Sequence, residues 1–136
     1  GSNPLNAFDN ALLKAGIGNV NLIKVSSILP PGVEFSPEMQ IPYGALVPTA
    51  YGHIISEVPG EIISAAVGVG LSVDSHGVIM EFAGKCSKAQ AEKAVRSMVE
   101  EAFKSRGIEL ADIKIASTEY QVETVGCALA AVPLWY

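Results

Sequence analysis

Positive charge is scarce in this chain of 136 residues, which sets nine Lys and Arg against 14 Asp and Glu for a formal net charge of -5. Domains that hold nucleic acid carry a basic patch, so no nucleic-acid partner is expected and a cationic small molecule suits the balance better. Histidine is equally sparse. His53 and His76 have no Cys, His or acid at ligand spacing, which argues against a metal site; each reads as a strand or turn histidine. Cys86 and Cys127 are far apart, without metal or redox spacing, and read as small buried hydrophobes in a reducing, cytoplasmic setting. The longest apolar runs, such as "IISAAVGVGL" and "CALAAVPLW", fall well short of the roughly 18 residues of a membrane span. Signal peptide, nucleophile elbow and Walker loop are all missing from the pattern. "GIGN" is no dinucleotide fingerprint, because Asn21 stands where the third glycine belongs. Whether Gly1-Ser2 is native or a cloning scar is open.

What is present is apolar material. At 49% hydrophobic and 17% charged, residues 1–136 form one domain with an ample core. So little charge over so much apolar sequence also predicts a homo-oligomer. Asn3 and Pro4 open a helix that Gly16 closes, with Leu5, Phe8, Leu12 and Ala15 on one stripe and Asp9 offset from it. Strand-like segments follow at about 45–58, 61–73 and 77–83, punctuated by "PG" and "DSHG". A long helix begins at the capping-box pair Ser87 and Gln90, buries Val95, Met98, Val99, Ala102 and Phe103, and stops at Gly107. Residues 112–122 and 124–134 read as a final strand pair. Helix, strands, helix, strands is an α+β order with mainly antiparallel pairing.

Two places look like chemistry. In "KVSSILPPG", residues 24 to 32, the strand "NVNLIKV" reaches Ser26 and Ser27 and is ended by Pro30 and Pro31, which offer no N–H to a ladder. On composition alone the two hydroxyls are turn residues that satisfy nearby backbone. Glu81 is the unusual acid. In "GVIMEFAG" strand alternation puts it on the face of Ile79 and Ala83, either a solvated sheet face or an apolar cleft that would raise its pKa toward neutrality.

The stretches "PLNAFDNALLKAGIGNVNLIKVSSILPP", "GALVPTAYG", "VIMEFAGKCSK" and "GCALAAVPLWY" give the chain a close resemblance, over almost its full length, to the archaeal-type pyruvoyl-dependent arginine decarboxylases. The resemblance implies a four-layer αββα sandwich, a homotrimer with active sites between subunits, and conversion of L-arginine to agmatine and carbon dioxide. It implies self-cleavage into residues 1–26 and 27–136. Ser27 Oγ would attack the Ser26 carbonyl carbon, elimination from the resulting ester would free a Ser26 carboxylate, and the dehydroalanine left at position 27 would hydrolyse to a pyruvoyl group with loss of ammonia. That group would replace pyridoxal phosphate as electron sink, with no metal.

By the same resemblance Glu81 protonates the substrate Cα, Asp9 takes the guanidinium, the Ser26 carboxylate stays close to the site, and Asn21 assists processing. Six residues of extended strand between Asn21 and Ser27 would span roughly 20 Å. The asparagine is therefore expected to serve a neighbouring subunit unless the chain folds sharply after Val25. Two alternatives stay open: a pyruvoyl enzyme for another amino acid, and an oligomeric binding protein that never cleaves.

Overall fold

The computed structural model describes residues 2–26, 28–36 and 39–135. Its elements run α1 (Pro4–Lys14), β1 (Asn21–Lys24), β2 (Ile28–Leu29), β3 (Leu46–Ser56), β4 (Ile62–Leu71), β5 (Gly77–Gly84), α2 (Lys88–Arg106), β6 (Asp112–Gln121) and β7 (Gly126–Pro133). They build two sheets, ordered β1-β3-β7 and β2-β5-β4-β6. Every pairing is antiparallel except β1 with β3. The α1 helix packs on β7 and β3, and α2 packs on β4, β5 and β6, so the layers run helix, sheet, sheet, helix. This is the α+β, αββα sandwich expected from the sequence.

The two inner faces are complementary in size. The three-stranded sheet contributes Ala50, Ala128 and Ala130, and the four-stranded sheet contributes Ile63, Val67, Val69 and Ile79. Small side chains opposite branched ones let two twisted sheets interdigitate. The outer face of β4 is smaller still. A Cβ at Gly70 would lie 2.5 Å from Phe103 Cε1 and 2.6 Å from Val99 Cγ1. Glycine there lets α2 sit directly on the strand.

Helix boundaries follow their local chemistry. The Asn3 side chain accepts the Asn6 N–H at 2.9 Å, with proline in the first turn of α1. Ser87 and Gln90 close a reciprocal capping box on α2, and Gly107 ends it in the left-handed region at φ 64°. The buried face of α2 is as expected, with Val95, Val99, Ala102 and Phe103 inside and Met98 partly so. That of α1 is rotated. Ala7 is buried and Phe8, Ala11 and Leu12 partly so, while Leu5 is 75% exposed and Ala15 is exposed. Small Ala7 and Ala11 allow the helix close to β7 where a stripe through Leu5 and Ala15 would hold it off.

Two strand expectations are corrected. Segments 112–122 and 124–134 do not pair: β6 joins β4 and β7 joins β3, in different sheets. The connection between them is an arch that buries Val122 and Val125. A hairpin and an arch of this length have the same alternation in sequence, and the need to cover both inner faces selects the arch. The first strand also stops earlier than "NVNLIKV" suggests. After Lys24 the chain leaves the β1 sheet, and at Ile28 it enters the other.

Overpacking the α2 contact should be costly. Gly70→Ala is expected to lose about 1–3 kcal/mol of stability, read as a lowered midpoint in chemical denaturation; an unchanged midpoint would mean α2 does not depend on this approach.

Candidate active site

β1 and β2 are the edge strands of their sheets, and the segment between them crosses from one sheet to the other. Val25 donates its backbone N–H to Thr49 O at 3.1 Å and packs its side chain into the inter-sheet core. Ser26 is exposed. Ser27 lies outside the described residues. β2 covers the edge of β5 through Ile28 opposite Val78 and Leu29 opposite Gly77. Among the described residues β5 has no β2 partner beyond Val78, and Glu81 stands further along this edge.

Glu81 faces inward, between the sheets. Its neighbours on that face of β5, Ile79 and Ala83, belong to the inter-sheet core, while Met80 and Phe82 point to α2. Across the gap stands Gly52 of β3, so close that a Cβ there would lie 3.1 Å from Glu81 Cβ and 3.3 Å from Cγ. Glu81 Oε2 is buried with no hydrogen-bond partner among the described residues. Burial therefore pushes the Glu81 pKa up, and the positive charge of Lys24 pulls against that shift. Of the two environments left open by the sequence, the apolar cleft is the one observed.

Lys24 escaped attention in the sequence, where it is one more polar residue of an edge strand. Its Nζ lies 4.9 Å from the centroid of the Tyr51 ring, within the range of a cation–π contact. Tyr51 and His53 share the outer face of β3, and Phe8 of α1 stacks on both, at 6.3 and 4.8 Å between centroids. Burial chiefly, and Lys24 in addition, lower the His53 pKa. Gly52 was also missed. Its signal was a lone glycine inside the strand "TAYGHI", a common mark of close approach.

The remaining expected residues are spread out. Asp9 is exposed on α1, in the outer layer, with no hydrogen bond or ion pair among the described residues. The sheet formed by β1, β3 and β7 stands between α1 and Glu81, so within one protomer Asp9 and Glu81 occupy opposite faces of that sheet. Asn21 begins β1 and donates Nδ2–H to Gly44 O at 3.0 Å. It lies at the other end of β1 from Lys24, roughly 10 Å away at about 3.3 Å per residue. The described residues contain no group of three or more His, Cys, Asp or Glu able to hold a metal ion, and no helix among them is long and apolar enough to cross a membrane.

The raised Glu81 pKa has a thermodynamic consequence. The folded chain holds this proton more tightly than the unfolded one, so the associated stability is complete below the ordinary carboxylate range and is lost as pH rises through the raised value. Glutamine does not ionise. The melting temperature of Glu81→Gln should match the parent at low pH and exceed it increasingly toward neutral pH; a difference independent of pH would contradict a raised pKa.

The family model described as pyruvoyl-dependent arginine decarboxylase matches residues 1–136. The pyruvoyl-dependent arginine decarboxylase of Methanocaldococcus jannaschii is 59% identical over 138 aligned positions, covering 100% of this chain and 84% of its own. That of Pyrococcus abyssi is 53% identical, covering 99% and 88%. Among solved structures, a pyruvoyl-dependent histidine decarboxylase at pH 8 superposes with a TM-score of 0.60 at 14% identity, over 71% of this chain and 53% of its own, a likeness of fold alone. The chain belongs to the pyruvoyl-dependent arginine decarboxylase family.

Proposed function

We propose that this protein decarboxylates L-arginine to agmatine and carbon dioxide, using a pyruvoyl group made from Ser27 when the chain cleaves itself after Ser26. The observation that carries this assignment is the buried Glu81 Oε2, without a hydrogen-bond partner among the described residues, in a chain matched from end to end by the family model. A small carbonyl group at a new chain end suits this place, because Oε2 is left free by the described residues and Gly52 adds no side chain in front of it.

A pyruvoyl ketone supplies an electron sink for the bond to the departing carboxylate. The chain's own residues do the rest. Glu81, its pKa raised by burial, delivers a proton to the substrate Cα. Ile79 and Ala83 keep that carboxyl among apolar neighbours. The Asp9 carboxylate accepts N–H donors from the guanidinium, a pairing for which two parallel hydrogen bonds are strongest. The Ser26 carboxylate released by cleavage remains beside the site.

Asp9 and Glu81 lie on opposite faces of one sheet, which supports a site assembled from two subunits of a homotrimer. Exposed Ile23 and Ile28 on the edge strands, with Leu46 and Tyr43 nearby in the chain, offer apolar surface for such an assembly. In the same arrangement Asn21 of one subunit donates its remaining amide hydrogen to the oxyanion formed at a neighbour's Ser26 carbonyl. The two free cysteines, Cys86 and Cys127, suit a cytoplasmic enzyme.

Intact mass with a turnover assay tests the assignment. Ser27→Ala should remain one uncleaved, inactive chain, whereas Glu81→Gln should cleave and lose about a hundredfold to ten-thousandfold in decarboxylation. Fragments from the first variant, or ordinary turnover by the second, would refute the respective role. Asp9→Asn should cleave normally and lose roughly tenfold to a hundredfold in kcat/KM for arginine, as expected when a charge-assisted hydrogen bond becomes neutral; an unchanged value would free Asp9 from substrate recognition.

A further inference from the structure

Gly52 occupies the middle of β3, paired with Ala130 in the antiparallel ladder with β7. Its backbone does not require glycine, since it is absent from the residues of positive φ. Glycine inside a strand weakens it, because the chain gives up more freedom and has no side chain to pack. Some contact must make that loss worthwhile. The neighbours of a Cβ built at this position are Glu81 Cβ at 3.1 Å, Glu81 Cγ at 3.3 Å and Phe82 N at 3.6 Å. The two tight contacts are both to the stem of one side chain.

Residues of the same inner face of β3 show what the place would otherwise hold. Ala50 and Ile54 pack into the inter-sheet core, so a side chain is the rule on this face and its omission is local to Glu81. The carboxyl beyond that stem has one buried oxygen with no hydrogen-bond partner among the described residues. Packing of the stem is what these residues contribute to its placement.

We infer that Gly52 is a positioning residue, whose missing side chain seats the Glu81 stem between the sheets and thereby aims the carboxyl at the substrate Cα. The inference rests on Glu81 being the proton donor. A methyl group at position 52 pushes the Glu81 stem by a few tenths of an ångström, against a β5 strand that is paired with β4 and cannot retreat as a unit. Such a shift leaves the guanidinium subsite on α1 untouched, because that helix packs on the other face of the sheet. The signature is therefore a loss in kcat with KM retained.

The experiment is a double-mutant cycle of Gly52→Ala and Glu81→Gln on the full chain, read by intact mass, thermal unfolding and arginine decarboxylation. Gly52→Ala should still cleave, keep KM within about twofold and lose roughly tenfold in kcat, since small misplacements of reacting groups are costly. In the Glu81→Gln background the same substitution should change the residual kcat by much less, because the group it displaces no longer delivers a proton. If Glu81→Gln alone retains ordinary turnover, the proton-donor assignment fails. If Glu81→Gln is impaired but Gly52→Ala keeps full kcat, or lowers kcat equally in both backgrounds, the positioning role is overturned. Should Gly52→Ala not fold, combining it with Glu81→Gly, which removes both stem carbons, decides against Glu81→Gly alone: restored cooperative unfolding attributes the clash to the Glu81 stem and supports the inference, whereas continued failure to fold where Glu81→Gly alone folds assigns the glycine to the strand itself and overturns it.

Discussion

An ionisable carboxyl lodged between two close-packed sheets is the constraint on which the arrangement of this protein turns. Burying a charge without a partner is expensive, and burial raises the pKa of a carboxyl so placed. For Glu81 that shift rests on apolar neighbours, no hydrogen bond at Oε2 among the described residues and a gap in the opposing sheet wide enough for the side chain. Ile79 and Ala83 meet the first requirement and Gly52 the last. The wider sandwich contributes too, since alanines on one inner face oppose branched residues on the other.

Among the described residues β2 covers β5 at Gly77 and Val78. Because the chain changes sheets between Lys24 and Ile28, the segment with Ser26 belongs to neither ladder. Pro30 and Pro31 follow at once and limit strand formation on the far side. Lys24, at the last position of β1, puts the one opposing influence on Glu81 in place: its charge favours the carboxylate while burial favours the acid, and burial prevails.

Separation of Asp9 from Glu81 by a whole sheet is the other architectural consequence. The helix that carries Asp9 rests on the outer face of β3 and β7 through Ala7 and through Phe8 against Tyr51 and His53. The inner face of the same strands meets Glu81. A protomer built this way presents these two carboxyl groups on opposite faces of one sheet, which is the observation behind the proposed two-subunit site.

Much of this was legible in the residues themselves. Helix ends at Asn3, Ser87 and Gly107, the buried stripe of α2 and the inward face of Glu81 follow from local preferences and from periods of 3.6 and 2, which act within a few residues. Ordered motifs such as "KVSSILPP" and "VIMEFAGKCSK" carried the family and, with it, the sandwich. Tertiary structure decided what local pattern cannot: that segments 112–122 and 124–134 arch between sheets instead of pairing, that α1 turns Ala7 inward and Leu5 outward, and that Lys24 acts on Glu81. It also decided that Glu81 Oε2 is buried, because alternation says which face a side chain is on and not what lies opposite. That depended on Gly52, 29 positions away in the chain, and contacts over such distances arise only when two inner faces compete for the same space between sheets.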